Sequence, residues 1–158
     1  MASSPPTLLF SVARHPDGRK KDTLRNIEET NQFVVNSTNS WNIEPAVFCG
    51  EEFPPEISEL EKAGFTPVPS LSVSPPRIKE SSVNFECETY KLVEIGEGGK
   101  GASTLVIGKI LQIHVDKSAW VDGKISLEKL KPVSRLGGKS YAFVGETFQM
   151  TGIKEGKG

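Results

Sequence analysis

The chain has 158 residues, 36% apolar and 25% charged, with a net charge of −1 and a pI near 6.2. This is the composition of one ordinary domain with enough apolar side chains for a core, and it excludes a general attraction to nucleic acid or to an anionic membrane. Two cysteines, Cys49 and Cys87, without CxxC spacing, are too few for a disulfide framework or a structural zinc site, and no segment approaches the roughly 18 apolar residues that crossing a bilayer requires.

The start, MASSPPTLLFSVARH, has no basic segment followed by a long apolar run, so the expected location is a reducing cytoplasm. The sequon Asn36-Ser37-Thr38 is then read as accidental. Thr7 to Ala13, bounded by prolines and a charged loop, reads as a buried strand. His15-Pro16-Asp17-Gly18 is turn chemistry, because Pro fixes one dihedral and Asp-Gly tolerates positive φ. Asp22 or Thr23 can cap a helix running to about Thr30, with Leu24 and Ile27 inward, and Gln32 to Asn36 reads as the next strand.

Between Ser37 and Ser82 polar and proline-rich stretches predict loops around one helix, Pro55 to Ala63, which Gly64 ends. The prolines after Phe65 limit any strand there to a short or edge position. Val83 to Glu88 alternates apolar and polar, Leu105 to Val115 carries apolar residues at odd positions, and Gly96 to Gly101 makes the two an antiparallel hairpin. A short pair around Val121 to Ile125 and a last strand around Tyr141 to Phe148 complete the elements, without an internal repeat. The fold class is mainly β, a predominantly antiparallel barrel with two or three short helices. Residues 1–150 form the domain and residues 151–158 a flexible tail.

Several constellations that could carry chemistry fail on spacing or context. GEGGKGAST lacks Walker spacing and leads into a strand, so it reads as a flexible hairpin tip. No GxSxG elbow is present, and no cluster has metal-ligand spacing. His114 falls on the even-numbered face of its strand, where a half-buried polar residue is the ordinary occupant.

The segment from Arg14 to Arg25 stands apart. Five Lys or Arg side chains against Asp17 and Asp22 leave a surplus of three positive charges where the helix begins. A helix start already carries free amides and partial positive charge, so cations there point to an external anion such as phosphate, held by Arg19, Lys21 and Thr23 with Asp22 orienting the cations. A solvated basic loop balanced by Glu28 and Glu29 explains the same residues.

PPTLLFSVARHPDGRKKDTLRNIEETNQFVVN resembles the flavin reductase-like, FMN-binding split-barrel family, which includes flavoredoxins and the reductase components of two-component monooxygenases. In that family a PPxLxFSV strand leads through a GRxKDTLxNI loop and helix to an FVVN strand. The match continues through RIKESSVNFECETYKLVEIGEGGKGASTLVIGKILQIHV and PVSRLGGKSYAFVGETFQM, covering about Pro5 to Met150.

The resemblance implies an antiparallel split β-barrel that dimerises with FMN at the interface and takes hydride from NADH or NADPH. By position, it implies that Arg19, Lys21, Asp22 and Thr23 receive the FMN phosphate and that Ser11 and Arg14 lie beside the flavin. It implies further that Tyr141 belongs to a closing motif near the interface and that His114 is the catalytic candidate near the nicotinamide. It implies a monooxygenase or other electron acceptor as partner, and the absence of metal-ligand spacing leaves no metal expected.

Family members begin with two further strands carrying an Asn-x-Ala-Pro-x-Ser-like segment that holds the flavin ring. This sequence starts where that segment would end, so an N-terminally incomplete domain is expected. Three functions fit: a flavin reductase, a flavin-binding or partner-binding module without turnover, or a truncated product with little activity. A nucleic-acid site is disfavoured by the near-neutral charge and the lack of interleaved aromatics.

Overall fold

The computed structural model describes residues 3–51, 53–54, 57–148 and 150. The expected tail at 151–158 lies outside them, as do Pro55 and Glu56, the first two residues of the expected second helix.

In chain order the elements are β1 (Thr7–Ala13), α1 (Asp22–Thr30), β2 (Gln32–Asn36), α2 (Ile43–Phe48), α3 (Glu59–Lys62), β3 (Pro67–Val68) and β4 (Arg77–Ile78). There follow β5 (Val83–Ile95), β6 (Ser103–Val115), β7 (Trp120–Val121), β8 (Lys124–Ile125), α4 (Leu127–Leu130), β9 (Val133–Gly137) and β10 (Ser140–Phe143). The predicted strand, helix and strand over residues 7–36 are present. Gly64, at φ +75, follows α3 as predicted, but the helix is confined to four residues.

The expected strand at Val83 to Glu88 runs on to Ile95, because its pairing with β6 continues past a register shift between Thr89 and Lys91. The strand expected from Tyr141 to Phe148 ends at Phe143, where its partner β9 runs out. Four α-helices rather than two or three occur among the described residues, since α2 and α4 are too short to show a helical period.

The main sheet is antiparallel in the order β1-β6-β5-β2. Among the described residues it does not close, so the antiparallel, mainly β class is present and the expected split barrel is seen only in part: β1 and β2 are edges that face each other across an apolar groove. Phe10 and Phe33 meet there edge to face, with ring centroids 5.4 Å apart. Leu24 and Ile27 of α1 pack with Val12, Phe33, Cys87 and Val106 to form the core.

The core lies on the even-numbered side of β6, where Val106 is fully buried, and the more apolar odd side faces outward. Gly108 makes this possible, because a Cβ there would stand 2.3 Å from Cζ of Phe33. The outward side carries half-buried Leu105 and Ile107, with exposed Leu9 of β1 directly opposite Ile107.

Candidate functional site

The basic segment is shaped by its own backbone before any ligand is considered. Gly18, at φ +88, closes a turn by donating its amide to the carbonyl of His15, and the carboxylate of Asp17 accepts from the amide and Nε of Arg19. The Arg19 side chain beside it, the largest influence, holds the Asp17 carboxyl below the usual carboxylate range. The turn also rests on the tip of the β5–β6 hairpin: a Cβ on Gly18 would touch Cα of Gly99 at 3.5 Å, and the amide of Arg14 donates to the carbonyl of Ala102. The glycine-rich segment, read from sequence as a flexible hairpin tip, is that tip and also a buttress of the basic loop.

The expected cap on α1 by Asp22 or Thr23 is not formed. Lys21 occupies the N-cap position with no side-chain capping bond, and Asp22, the first helical residue, gives its carboxylate to Arg25 instead. The first two helical amides, those of Asp22 and Thr23, have no partner within a helix. Both residues line a cavity of about 510 Å³.

Arg19, Lys20, Lys21 and Arg25 line the same cavity, with Cys49, Gly50, Phe53 and Glu59 opposite. Lys20 is paired with Glu28 at 2.7 Å, whereas Lys21 makes no ion pair among the described residues. Across the cavity, burial first and the charge of Asp22 second push the Glu59 carboxyl up; burial first and Glu59 second do the same to the Cys49 thiol. One wall is thus cationic with open amides, and the other holds a carboxylate whose charge is disfavoured.

The remaining predicted residues are placed elsewhere. Arg14 is buried, with Nη2 on Glu94 at 2.9 Å and near Thr104 Oγ1 at 3.5 Å, so it braces the hairpin and does not enter the cavity. Ser11 lies on the outward face of β1 opposite Leu105. Tyr141 lines a second cavity of about 680 Å³ with Arg135 and Lys139. The two cavities meet at Gly50 and Glu51, which line both.

His114 stands ten residues along β6 from Thr104, about 33 Å at the usual rise of a strand. Its Nε2 lies 2.6 Å from Oε1 of Glu86. Glu86 is fully buried and also accepts from the amides of Leu71 and Ser72. Burial pushes its carboxyl up, but those amides, followed by His114, outweigh burial and hold it below the usual carboxylate range. The structure therefore gives His114 the half-buried polar setting that its place on the strand suggested.

Glu59, Gly50 and Glu86 were not predicted as site or cluster residues. Glu86 alternates like a solvent-facing strand residue, and nothing local marks the segment that covers it.

An open sheet carrying a cationic helix start at the end of its first strand defines a class, and comparison with known proteins gives that class its name. Residues 1–125 match the flavin reductase-like domain, and the chain belongs to that family. An uncharacterized protein of Halalkalibacterium halodurans is 41% identical over 151 residues, 95% of this chain and 72% of its own. Nitrilotriacetate monooxygenase component B from Bacillus cereus superposes with a TM-score of 0.88 at 35% identity, over 95% of this chain and 74% of that one. The flavoredoxin of Desulfovibrio vulgaris shares the fold, with a TM-score of 0.80 at 24% identity over 95% and 76% of the two chains.

Proposed function

We propose that this protein binds FMN and acts as a flavin reductase, accepting hydride from NADH or NADPH and passing reducing equivalents to a separate acceptor. The observation that carries this reading is the uncapped start of α1, where the amides of Asp22 and Thr23 and the unpaired Lys21 line one cavity. These groups fit a phosphate: open amides satisfy its oxygens, the helix dipole favours its charge, and Lys21 and Arg19 add compact and forked donors. Lys21, Arg19 and Thr23 would hold the phosphate, with Asp22 keeping Arg25 in place. Bound FMN supplies the hydride chemistry, and the protein supplies position and electrostatics.

The outward face of the sheet supports dimerisation. Leu9 is 57% exposed and stands beside Ile107 and Leu105, and such a strip is buried when two copies meet. Ser11 lies on this same face, and we place it beside FMN at that interface. The monooxygenase component among the similar structures supports a monooxygenase as the acceptor. No helix among the described residues is long and apolar enough to cross a membrane, and we place the activity in the cytoplasm.

The open edges of β1 and β2 favour a second reading, a module that binds flavin without turnover. One experiment separates the two. The purified protein is mixed with FMN, freed of unbound flavin, and its visible spectrum is recorded before and after anaerobic addition of NADH or NADPH. Retained flavin that the nucleotide bleaches supports the reductase, retained flavin that it does not bleach supports the module, and no retained flavin overturns both.

A further inference from the structure

Residues 70–76, Ser-Leu-Ser-Val-Ser-Pro-Pro, cross from β3 to β4 without a main-chain hydrogen bond to any other described residue. Side chains hold them instead. Glu86 Oε1 and Oε2 accept from the Leu71 amide at 2.9 and 3.1 Å, and Oε2 accepts from the Ser72 amide at 2.6 Å. Gln32 Oε1 accepts from the Ser74 amide at 2.8 Å. Arg77 closes the base of the crossing by donating to the Pro69 carbonyl at 2.9 Å.

Glu86 is the centre of this arrangement. His114 and Arg77 are the other charged or titratable partners that reach it, Nε2 of His114 at 2.6 Å and Nε of Arg77 at 3.6 Å. The segment has no core anchor of its own, and Leu71 is 75% exposed. Its far end, Ser74 to Pro76, walls the apolar groove of about 790 Å³ that Phe10, Ile27, Phe33 and Val35 line between the unpaired edges.

We infer that residues 70–76 form a strap gating the apolar groove, and that Glu86 is the latch holding the strap closed. Few apolar contacts and no shared main-chain ladder make such a segment a separate, low-stability unit. Its closed state rests on the Leu71 and Ser72 amides bound to one buried carboxylate that His114 and the Arg77 charge also hold in place, which gives two arrangements, latched and released, rather than a continuous drift.

The test is native-state amide hydrogen exchange on the full chain. In the wild type, Leu71, Ser72 and Ser74 are expected to exchange with one common opening free energy, well below that of the core amides of Cys87 and Val106. In Glu86→Gln all three are expected to exchange roughly tenfold faster or more, and still well ahead of the core amides, which lose protection only as the whole chain is destabilised. Ser74 is the deciding amide, because its own acceptor, Gln32, is untouched. Acceleration at Leu71 and Ser72 alone would show loss of local bonds and overturn the gate. Should the variant not fold, the wild type decides alone: exchange of the three amides only through the opening that frees the core overturns the strap, and a shared lower opening sustains it.

Discussion

Gly108 lies directly beneath the ring of Phe33, so close that a single methyl group would stand 2.3 Å from Cζ. Its backbone conformation is open to any residue, so only space demands glycine there. Gly108→Ala is therefore expected to push Phe33 off the core and to cost about 1–3 kcal/mol. Urea unfolding followed by far-ultraviolet circular dichroism checks this, and an unchanged midpoint would show that the ring moves freely.

Lys21→Ala is expected to weaken FMN binding roughly tenfold while changing riboflavin binding less than about twofold, because a charge-assisted contact to phosphate is lost and nothing else is touched. Fluorescence titrations with the two flavins make the comparison. Equal losses would mean that the start of α1 does not read the phosphate.

Under the proposed function, Glu59 opposes the phosphate from across the cavity. Glu59→Gln removes a like charge and is expected to tighten FMN binding by roughly threefold at neutral pH. Burial, with Asp22 second, raises the Glu59 carboxyl pKa above its ordinary value, so the carboxyl takes up its proton earlier than usual on acidification. The advantage of the variant should therefore shrink as pH is lowered through that raised range. A difference that is constant with pH would separate Glu59 from the anion site.

Glu86 has the opposite sign. Burial is outweighed by the amides of Leu71 and Ser72 and by His114, so its folded pKa is depressed. The stability it contributes is present above the unfolded carboxylate value and is lost as pH falls through the lower folded value. Glu86→Gln should cost about 3 kcal/mol at pH 7. Urea midpoints of the variant and the wild type should converge in acid, and parallel pH curves would contradict the assignment.

Leu9→Asp puts a charge into the outward strip beside Ile107. Sedimentation equilibrium is expected to show a dimer for the wild type and a monomer for the variant, with its far-ultraviolet circular dichroism unchanged because Leu9 is exposed in the single chain. A wild-type monomer at micromolar concentration would remove the dimer from the proposal.

The first 36 residues were legible because each local signal agreed with its neighbours: prolines before β1, Asp-Gly at the turn, and Leu24 and Ile27 at helical spacing. β6 was legible as a strand but not as to its sides. The odd residues are the more apolar, yet α1 and Phe33 occupy the even side, and only the room left by Gly108 reveals that. The cationic cavity was readable from charge, whereas Gly50 reaches it from a stretch with neither period nor motif, and Glu59 from within a predicted helix where nothing local marks it as facing the cavity. Arg14 could not be told from its neighbours in the loop, since its burial depends on Glu94 and Thr104, some 80 and 90 residues later.

That dependence on distant sequence reaches the proposed anion site itself. Gly18 leans on Gly99, and the amide of Arg14 is tied to Ala102, so the loop gains its shape only when the two longest strands have found each other. Contacts between segments so far apart in sequence, unlike the local β5–β6 hairpin, form late, after a costly loop closure. The loop is thus a product of the finished sheet, and capture of phosphate there would report that β1 has docked on β6. An anion that binds only this state draws the population toward it by mass action, so a flavin phosphate would act on this protein as a folding ligand before any electron moves.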